Sequence, residues 1–285
     1  MTINPNAVGA TYGPARHAWD SRDTMLYALG VGAGVDELTF TTENSRGVVL
    51  QALPSFAVII ASAANGLAGI GDFDWGNLVH GAQSVQVHHP IPAHGAADVS
   101  GRVTGIDDKG AGRNAVVELT TEAVLAGTGE PLLTTRSTLV IKGAGGFGGE
   151  RRQGGGRVVL PERAPDHEVA QPSLPAQALL YRLSGDRNPL HSDPWFATER
   201  AGLPRPILHG LCTYGFAGRA LLHRLCQGDA TRFGAMECRF SAVVFPGDTL
   251  TTHIWEGDGG ALFQTSASPD GRTVLAEGRF RFAAG

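Results

Sequence analysis

Asp186, Asn188 and His191 fall within six positions of one another in the stretch YRLSGDRNPLH, residues 181–191. A carboxylate and an imidazole have ordinary pKa values of about 3.9 and 6.5. Such a pair can take a proton from one atom and deliver one to another near neutral pH. Pro189 prevents a regular helix from running through the segment and drives Asn188 toward an extended or turn conformation. The three polar residues therefore sit on irregular backbone, where sites are commonly built if a rigid scaffold holds the loop. Taken singly, each also has a plain structural reading, with Asp186 making an Asx turn and His191 a packed histidine.

A second ingredient lies close behind. The stretch ILHGLCTYGFAGRALLHRL, 207–225, is apolar on nearly every face, which predicts a buried helix. It carries glycine at 210, 215 and 218. Each helical glycine costs about 1 kcal/mol relative to alanine, so three together imply close approach of another backbone. Gly210 falls in the first turn, where N–H groups lack a partner within the helix and the dipole favours negative charge. Its N–H can serve a thioester oxygen as an oxyanion hole does. Between loop and helix, SDPWFATERAG predicts a short helix with Asp193 as N-cap, Pro194 at N1 and Gly202 as the stop. Asp186 is then not needed as a cap.

The elements that position these residues occur twice. YALGVGAG from Tyr27 overlays YRLSGDRN from Tyr181 at an offset of 154, and Pro92 overlays Pro246 at the same offset. A shorter loop changes the offset to 142, where Gly129 meets Gly271. Each half reads as a loop, an apolar helix and several alternating strands, a repeat that points to duplication. The first-half helix is expected over 53–69. One buried helix wrapped by a long antiparallel sheet is the hotdog arrangement, so the expected fold class is α+β, a double hotdog. The expected division is 1–142 for the first repeat, 143–176 for a Gly/Pro-rich linker and 177–285 for the second repeat. The linker contains G-x-G-x-x-G at Gly143, Gly145 and Gly148, but ERRQGGGR after it cannot supply the helix of a dinucleotide site.

The first half serves as an internal control. At offset 154, Asp186 aligns with Gly32, Asn188 with Gly34, His191 with Glu37 and Gly210 with Phe56. One copy kept the polar set and the other lost it, whereas a purely structural role should have survived in both. The small residues at 30–34 and 61–69 trade bulk for space and suggest room for a medium or longer acyl chain.

Tyr181 to Ala197, YRLSGDRNPLHSDPWFA, resembles the signature of the MaoC-like, hydratase 2 family of (R)-specific enoyl-CoA hydratases, and PILHGLCTYGFAGRALL resembles the stretch that follows it there. The resemblance covers most of the chain, because two-repeat members share an inactive first half. It implies hydration of trans-2-enoyl-CoA to (R)-3-hydroxyacyl-CoA and its reversal. Asp186 and His191 are then the catalytic pair, Asn188 supports their geometry, and the Gly210 N–H polarises the thioester carbonyl. Which of the pair is acid and which base stays open. Tyr181, Ser184, Gly185, His209 and Arg205 are read as substrate-binding. The first half would hold the acyl chain. A thioesterase or acyl-carrier-protein dehydratase on the same fold, and a non-catalytic acyl-CoA-binding protein, are the competing readings.

Bulk properties agree. The net charge is −4 and the pI near 6.2, which argues against nucleic acid as a partner. The longest apolar run, FAVIIASAA at 56–64, is far short of the ~20 residues that span a bilayer. The N-terminus lacks a signal-like apolar core. Cys212, Cys226 and Cys238 fit neither a disulfide framework nor zinc spacing. His88, His89 and His94 invite a metal reading, but strand neighbours point to opposite faces. The expectation is a cytoplasmic protein with an acyl-CoA substrate, no metal or other cofactor, no membrane, and room for a homodimer.

Overall fold

The computed structural model describes residues 2–151 and 158–283. Among them ten strands form one antiparallel sheet: β1 Thr11–Trp19, β2 Leu78–Val87, β3 Gly95–Asp108, β4 Ala115–Leu125, β5 Pro131–Ile141, β6 His167–Pro172, β7 Phe233–Phe240, β8 Thr249–Gly257, β9 Gly260–Ala267 and β10 Arg272–Phe282. Their order is β1-β3-β4-β5-β2-β7-β10-β9-β8-β6. Followed inward from either edge, the sheet repeats the same connections, β1-β3-β4-β5-β2 and β6-β8-β9-β10-β7. The duplication seen as an offset of 154 is thus a pseudo-twofold relation of two five-stranded units. They join where β2 pairs with β7, from Ala82 opposite Arg239 to Gln86 opposite Ala235.

Alternation sets which face is inside. Along β5 and β9 buried and half-buried residues succeed one another with the period of two that a pleated strand imposes. Leu133 of β5, Phe263 of β9 and Phe280 of β10 enter a single apolar core that runs from Trp19 to Phe280 and draws on both halves. A smaller cluster around Ile70 and Leu119 belongs to the first half alone.

Four helices frame the loop and its surroundings: α1 Ser21–Gly30, α2 Ala57–Ile60, α3 Gln177–Tyr181 and α4 Gly210–Cys226. Every residue of α4 from Cys212 to Leu222 is buried, as expected of a helix that the sheet wraps. The reason for its glycines is visible at Gly215, where a Cβ would stand 2.4 Å from Val31 Cγ1. The helix begins at Gly210 instead of 207. The Leu208 N–H donates to the Val244 carbonyl at 2.7 Å and the Ile207 carbonyl is held by His191, so neither residue joins the helix.

The expected first-half helix over 53–69 is broken. A 3₁₀ turn at Pro54–Phe56 leads into α2, which stops at Ala61, and a separate 3₁₀ turn covers Ala63–Leu67. The Ala61 carbonyl is taken by the Thr135 hydroxyl and Ser62 caps the next turn, so the ladder is cut at that point. The short helix after Asp193 is present with the expected cap, Trp195 N–H to Asp193 Oδ1 at 3.0 Å. Its body, Phe196–Arg200, is a wider π turn rather than an α-helix. The stretch 143–176 is more than a linker, because it contains β6, which pairs with β8 at the sheet edge. Two of its glycines help wrap a carboxylate: Asp108 accepts N–H bonds from Gly146 and Gly148, and from its near neighbour Gly110, at 2.7–2.8 Å. Most of ERRQGGGR lies outside the described residues. No helix among those described is long and apolar enough to cross a membrane.

Candidate active site

The loop after α3 is built by its own polar side chains. Gly185 takes φ +128°, a conformation that L side chains rarely adopt, and turns the chain out of the 3₁₀ turn Arg182–Ser184. Asp186 Oδ1 accepts the Asn188 N–H at 3.1 Å, and Asn188 Oδ1 accepts the Leu190 N–H at 3.0 Å. These two bonds start the turn Pro189–His191, which carries His191 inward while Asp186 and Asn188 stay exposed.

His191 Nδ1 faces the Ile207 carbonyl at 2.9 Å. A carbonyl can only accept, so Nδ1 carries the proton and Nε2 presents its lone pair. Burial pushes the His191 pKa down, against the opposing pull of the Ile207 carbonyl and Asp186. The ring stacks on His209, with centroids 3.7 Å apart and planes 26° from parallel. His209 is 1% exposed, and its Nε2–H donates to the Asp186 backbone carbonyl at 3.2 Å. Burial, reinforced by neighbouring His191, pushes His209 down to about 3.

Asp186, Asn188, His191 and Gly210 line one cavity of about 410 Å³. The Gly210 and Leu211 N–H groups open α4 there and make no hydrogen bond among the described residues. Phe240 lies against Gly210, 3.2 Å from where a Cβ would stand. The opposite wall comes from the first half, as Leu78 and Val79 of β2, Leu139 of β5 and Lys142. His80 of β2 is there too, its ring edge-on to Phe240 at 4.9 Å. Burial pushes His80 down to about 4, so it is a neutral donor or acceptor at working pH.

The substrate-binding assignments place differently. Tyr181 and His209 are buried beneath the loop, and Arg205 lies over the Phe245 ring at 4.8 Å. None of Tyr181, Ser184, Gly185, Arg205 and His209 is on the cavity wall. The glycines at 30–34 and the stretch 61–69 do not line it either. His80 and Lys142 escape sequence reasoning, since only the side-by-side pairing of the two halves brings them here. A larger depression of about 780 Å³ lies over β7, β9 and β10, but Glu237 and Glu256 in it are engaged by Arg279 and His167.

Asp186, His191 and His209 bring ligand-type atoms within 4.8 Å of one another. Each ring already commits one nitrogen to a backbone carbonyl, His191 Nδ1 to Ile207 and His209 Nε2 to Asp186. That arrangement suits proton transfer better than ligation. Cys212 is fully buried, donates to the Gly30 carbonyl, and burial holds its thiol well above the ordinary value, so it packs rather than attacks.

The corresponding place in the first half is filled. At Gly32, φ +82°, a Cβ would meet the Phe216 ring at 2.4 Å. Glu37, which stands where His191 does, is bonded by Arg219 and His223 of α4. Burial opposes ionisation of Glu37, but the bonds from His223 and Arg219 and their charges outweigh it and hold its pKa at about 2. The folded value lies below the ordinary 4.5, so the stabilisation is complete above about pH 4.5 and is lost as pH falls toward 2. Glu37→Gln is expected to cost about 2 kcal/mol at pH 7, reduced from the full shift by screening at the half-exposed His223 side. Denaturant unfolding at pH 7 and near pH 2 checks this: the gap between the two proteins should close at the lower pH.

Residues 17–143 match the MFE-2 hydratase 2 N-terminal domain and residues 158–276 match the MaoC like domain. With a continuous sheet of two hotdog units and a polar loop facing Gly210, the chain belongs to the MaoC-like hydratase 2 family of double-hotdog proteins. It is similar to 3-hydroxyacyl-thioester dehydratase Y of Mycobacterium tuberculosis, 48% identical over 290 residues with all of both chains covered. Peroxisomal enoyl-CoA hydratase 2 of Arabidopsis thaliana is 39% identical over 279 residues, covering 92% of this chain and 89% of that one. The crystal structure of a MaoC-like dehydratase from Phytophthora capsici superposes with a TM-score of 0.85 at 32% identity, covering 99% and 98% of the two chains.

Proposed function

We propose that this chain is a hydro-lyase that adds water to trans-2-enoyl-CoA thioesters, giving (R)-3-hydroxyacyl-CoA, and that it catalyses the reverse dehydration in fatty-acyl metabolism. The observation that carries the reading is that Asp186, His191 and Gly210 line one partly apolar cavity. The Gly210 N–H donates a hydrogen bond to the thioester oxygen, which stabilises the enolate charge as C3 is attacked. Water sits between the Asp186 carboxylate and His191 Nε2. Its hydroxyl bonds to C3, its proton passes to the pair, and the pair returns a proton to C2, so that atoms balance and the pair is restored. Asn188 holds the Asp186 carboxylate through its backbone N–H. The apolar residues of β2 and β5 wall the acyl chain. The three cysteines are free and buried, which suits a reducing compartment such as the cytoplasm.

The test follows loss of enoyl-thioester absorbance on mixing with a trans-2-enoyl-CoA, with a thiol reagent present. Hydration consumes the double bond and leaves the thioester intact, whereas a thioesterase releases thiol and a binding protein consumes nothing. Coupling to (R)- and (S)-specific 3-hydroxyacyl-CoA dehydrogenases reads the stereochemistry. Turnover is expected through the (R)-specific enzyme, because the pair presents water to one face of a double bond whose carbonyl is anchored. Turnover only through the (S)-specific enzyme would overturn the geometry.

A further inference from the structure

The comparison of halves that isolates Asp186 and His191 isolates a third residue. At the offset of 154, His209 stands where the first half has Ser55. In the first half the Tyr27 hydroxyl donates to the Ser55 carbonyl at 3.0 Å, a satisfied buried pair. In the second half Tyr181 replaces Tyr27, and its hydroxyl is buried without a hydrogen-bond partner among the described residues. His209 Nδ1 is buried without one as well, with the two rings 4.9 Å apart. An unsatisfied buried polar atom costs stability, so the second half carries a local penalty that the first half, with serine at this place, does not. Its compensation must lie in what the His209 ring touches.

We propose that His209 is a positioning residue for His191 and Asp186, a role that rests on the hydration reading above. Its face lies flat on the His191 ring and fixes the plane of the imidazole, while the Ile207 carbonyl fixes its rotation. Its Nε2–H holds the loop at the Asp186 carbonyl. One side chain thus anchors both members of the pair without reaching the cavity. The groups that face this cluster are Asp186 on the loop, the Ile207 carbonyl before α4, Arg182 beside His209, and His80 of β2 on the far side of Asp186. Among them His209 itself stays uncharged through the working range, so it excludes water from His191 without adding a charge beside it.

Three variants separate the two contacts. His209→Phe keeps a flat ring over His191 and removes the donor to Asp186; His209→Asn keeps a donor and removes the stack; His209→Ala removes both. For His209→Ala, kcat is expected to fall about 10- to 100-fold with KM nearly unchanged, as for a small misplacement of reacting groups. The acid limb of its kcat/KM profile should move to higher pH, because water reaching His191 relieves the desolvation that lowers its pKa. His209→Phe should lose rate with the acid limb in place. NMR titration of the His191 imidazole without substrate reads the same shift independently of turnover. It keeps failure of this proposal distinct from failure of the hydration reading. His191 titrating as in the parent in both His209→Ala and His209→Asn would overturn the proposal, as would a loss confined to KM.

Discussion

Replacing His191 with Gln, or Asp186 with Asn, is expected to lower kcat/KM for a trans-2-enoyl-CoA by about 10²–10⁴-fold with the fold intact. Each substitution keeps the structural duty and removes the chemical one. A glutamine amide can still donate to the Ile207 carbonyl, the bond that seats His191, but it has no nitrogen lone pair to accept a proton. Asparagine at 186 still offers Oδ1 to the Asn188 N–H that shapes the loop, without the negative charge. Because the two act on one water, the double variant should be little worse than the poorer single. In the parent, burial lowers the His191 pKa, so activity should persist below the ordinary histidine range before its acid limb is reached. Circular dichroism and melting curves establish that the variants are folded. A variant retaining more than about a tenth of the activity, against the 10²-fold minimum expected of an acid–base group, removes that residue from the pair.

The second half expressed alone, from about residue 165, is expected to be inactive and to aggregate. Cutting the chain strips β2 from β7 and leaves a bare, mostly buried strand edge in the middle of what was a continuous sheet. It also removes what α4 and α3 rest on. Gly215 loses Val31, Gln177 loses the Leu29 and Gly30 carbonyls, and Arg219 loses Glu37 and the Val31 carbonyl. Arg219 is then left without these partners, and the apolar surface of α4 that the first half covered is exposed to water. For the same reason the intact chain should unfold in one cooperative transition, since its main core is shared between the halves. Size-exclusion chromatography and the hydration assay decide the matter, and a soluble fragment with full activity would show that the first half is not needed to complete the cavity.

Sequence periodicity was enough to reveal the duplicated strands and the buried α4, because alternation and an all-apolar helix are local properties. The loop was legible for a similar reason: Asp186 and Asn188 shape it through bonds spanning two residues, so much of its conformation is encoded by the same side chains that suggest its chemistry. Features that depend on the partner half were not legible. The break at Ala61 is made by Thr135, 74 residues away, whose hydroxyl takes the carbonyl that would continue the helix. His80 and Lys142 come to the cavity only because β2 runs beside β7, a pairing that no nearby residue announces. His209, read as substrate-binding, lies off the cavity wall. Extended backbone at that residue turns its ring under the loop, and a helix begun at 207 would have hidden that.

The Phe216 ring over Gly32 has a historical consequence. Placing an aspartate at position 32 would require a left-handed residue to accept a Cβ 2.4 Å from the Phe216 ring carbons, so no single change there recreates the loop of the second half. Removing Phe216 first would open a hole beside Arg219 in the helix that the surviving site depends on. Exchanging Glu37 for histidine would discharge the ion pair before any water could be activated. Each of these changes, taken alone, costs stability. On the proposed function the arrangement acts as a ratchet: one half is kept for its chemistry and the other because the core it shares cannot be spared.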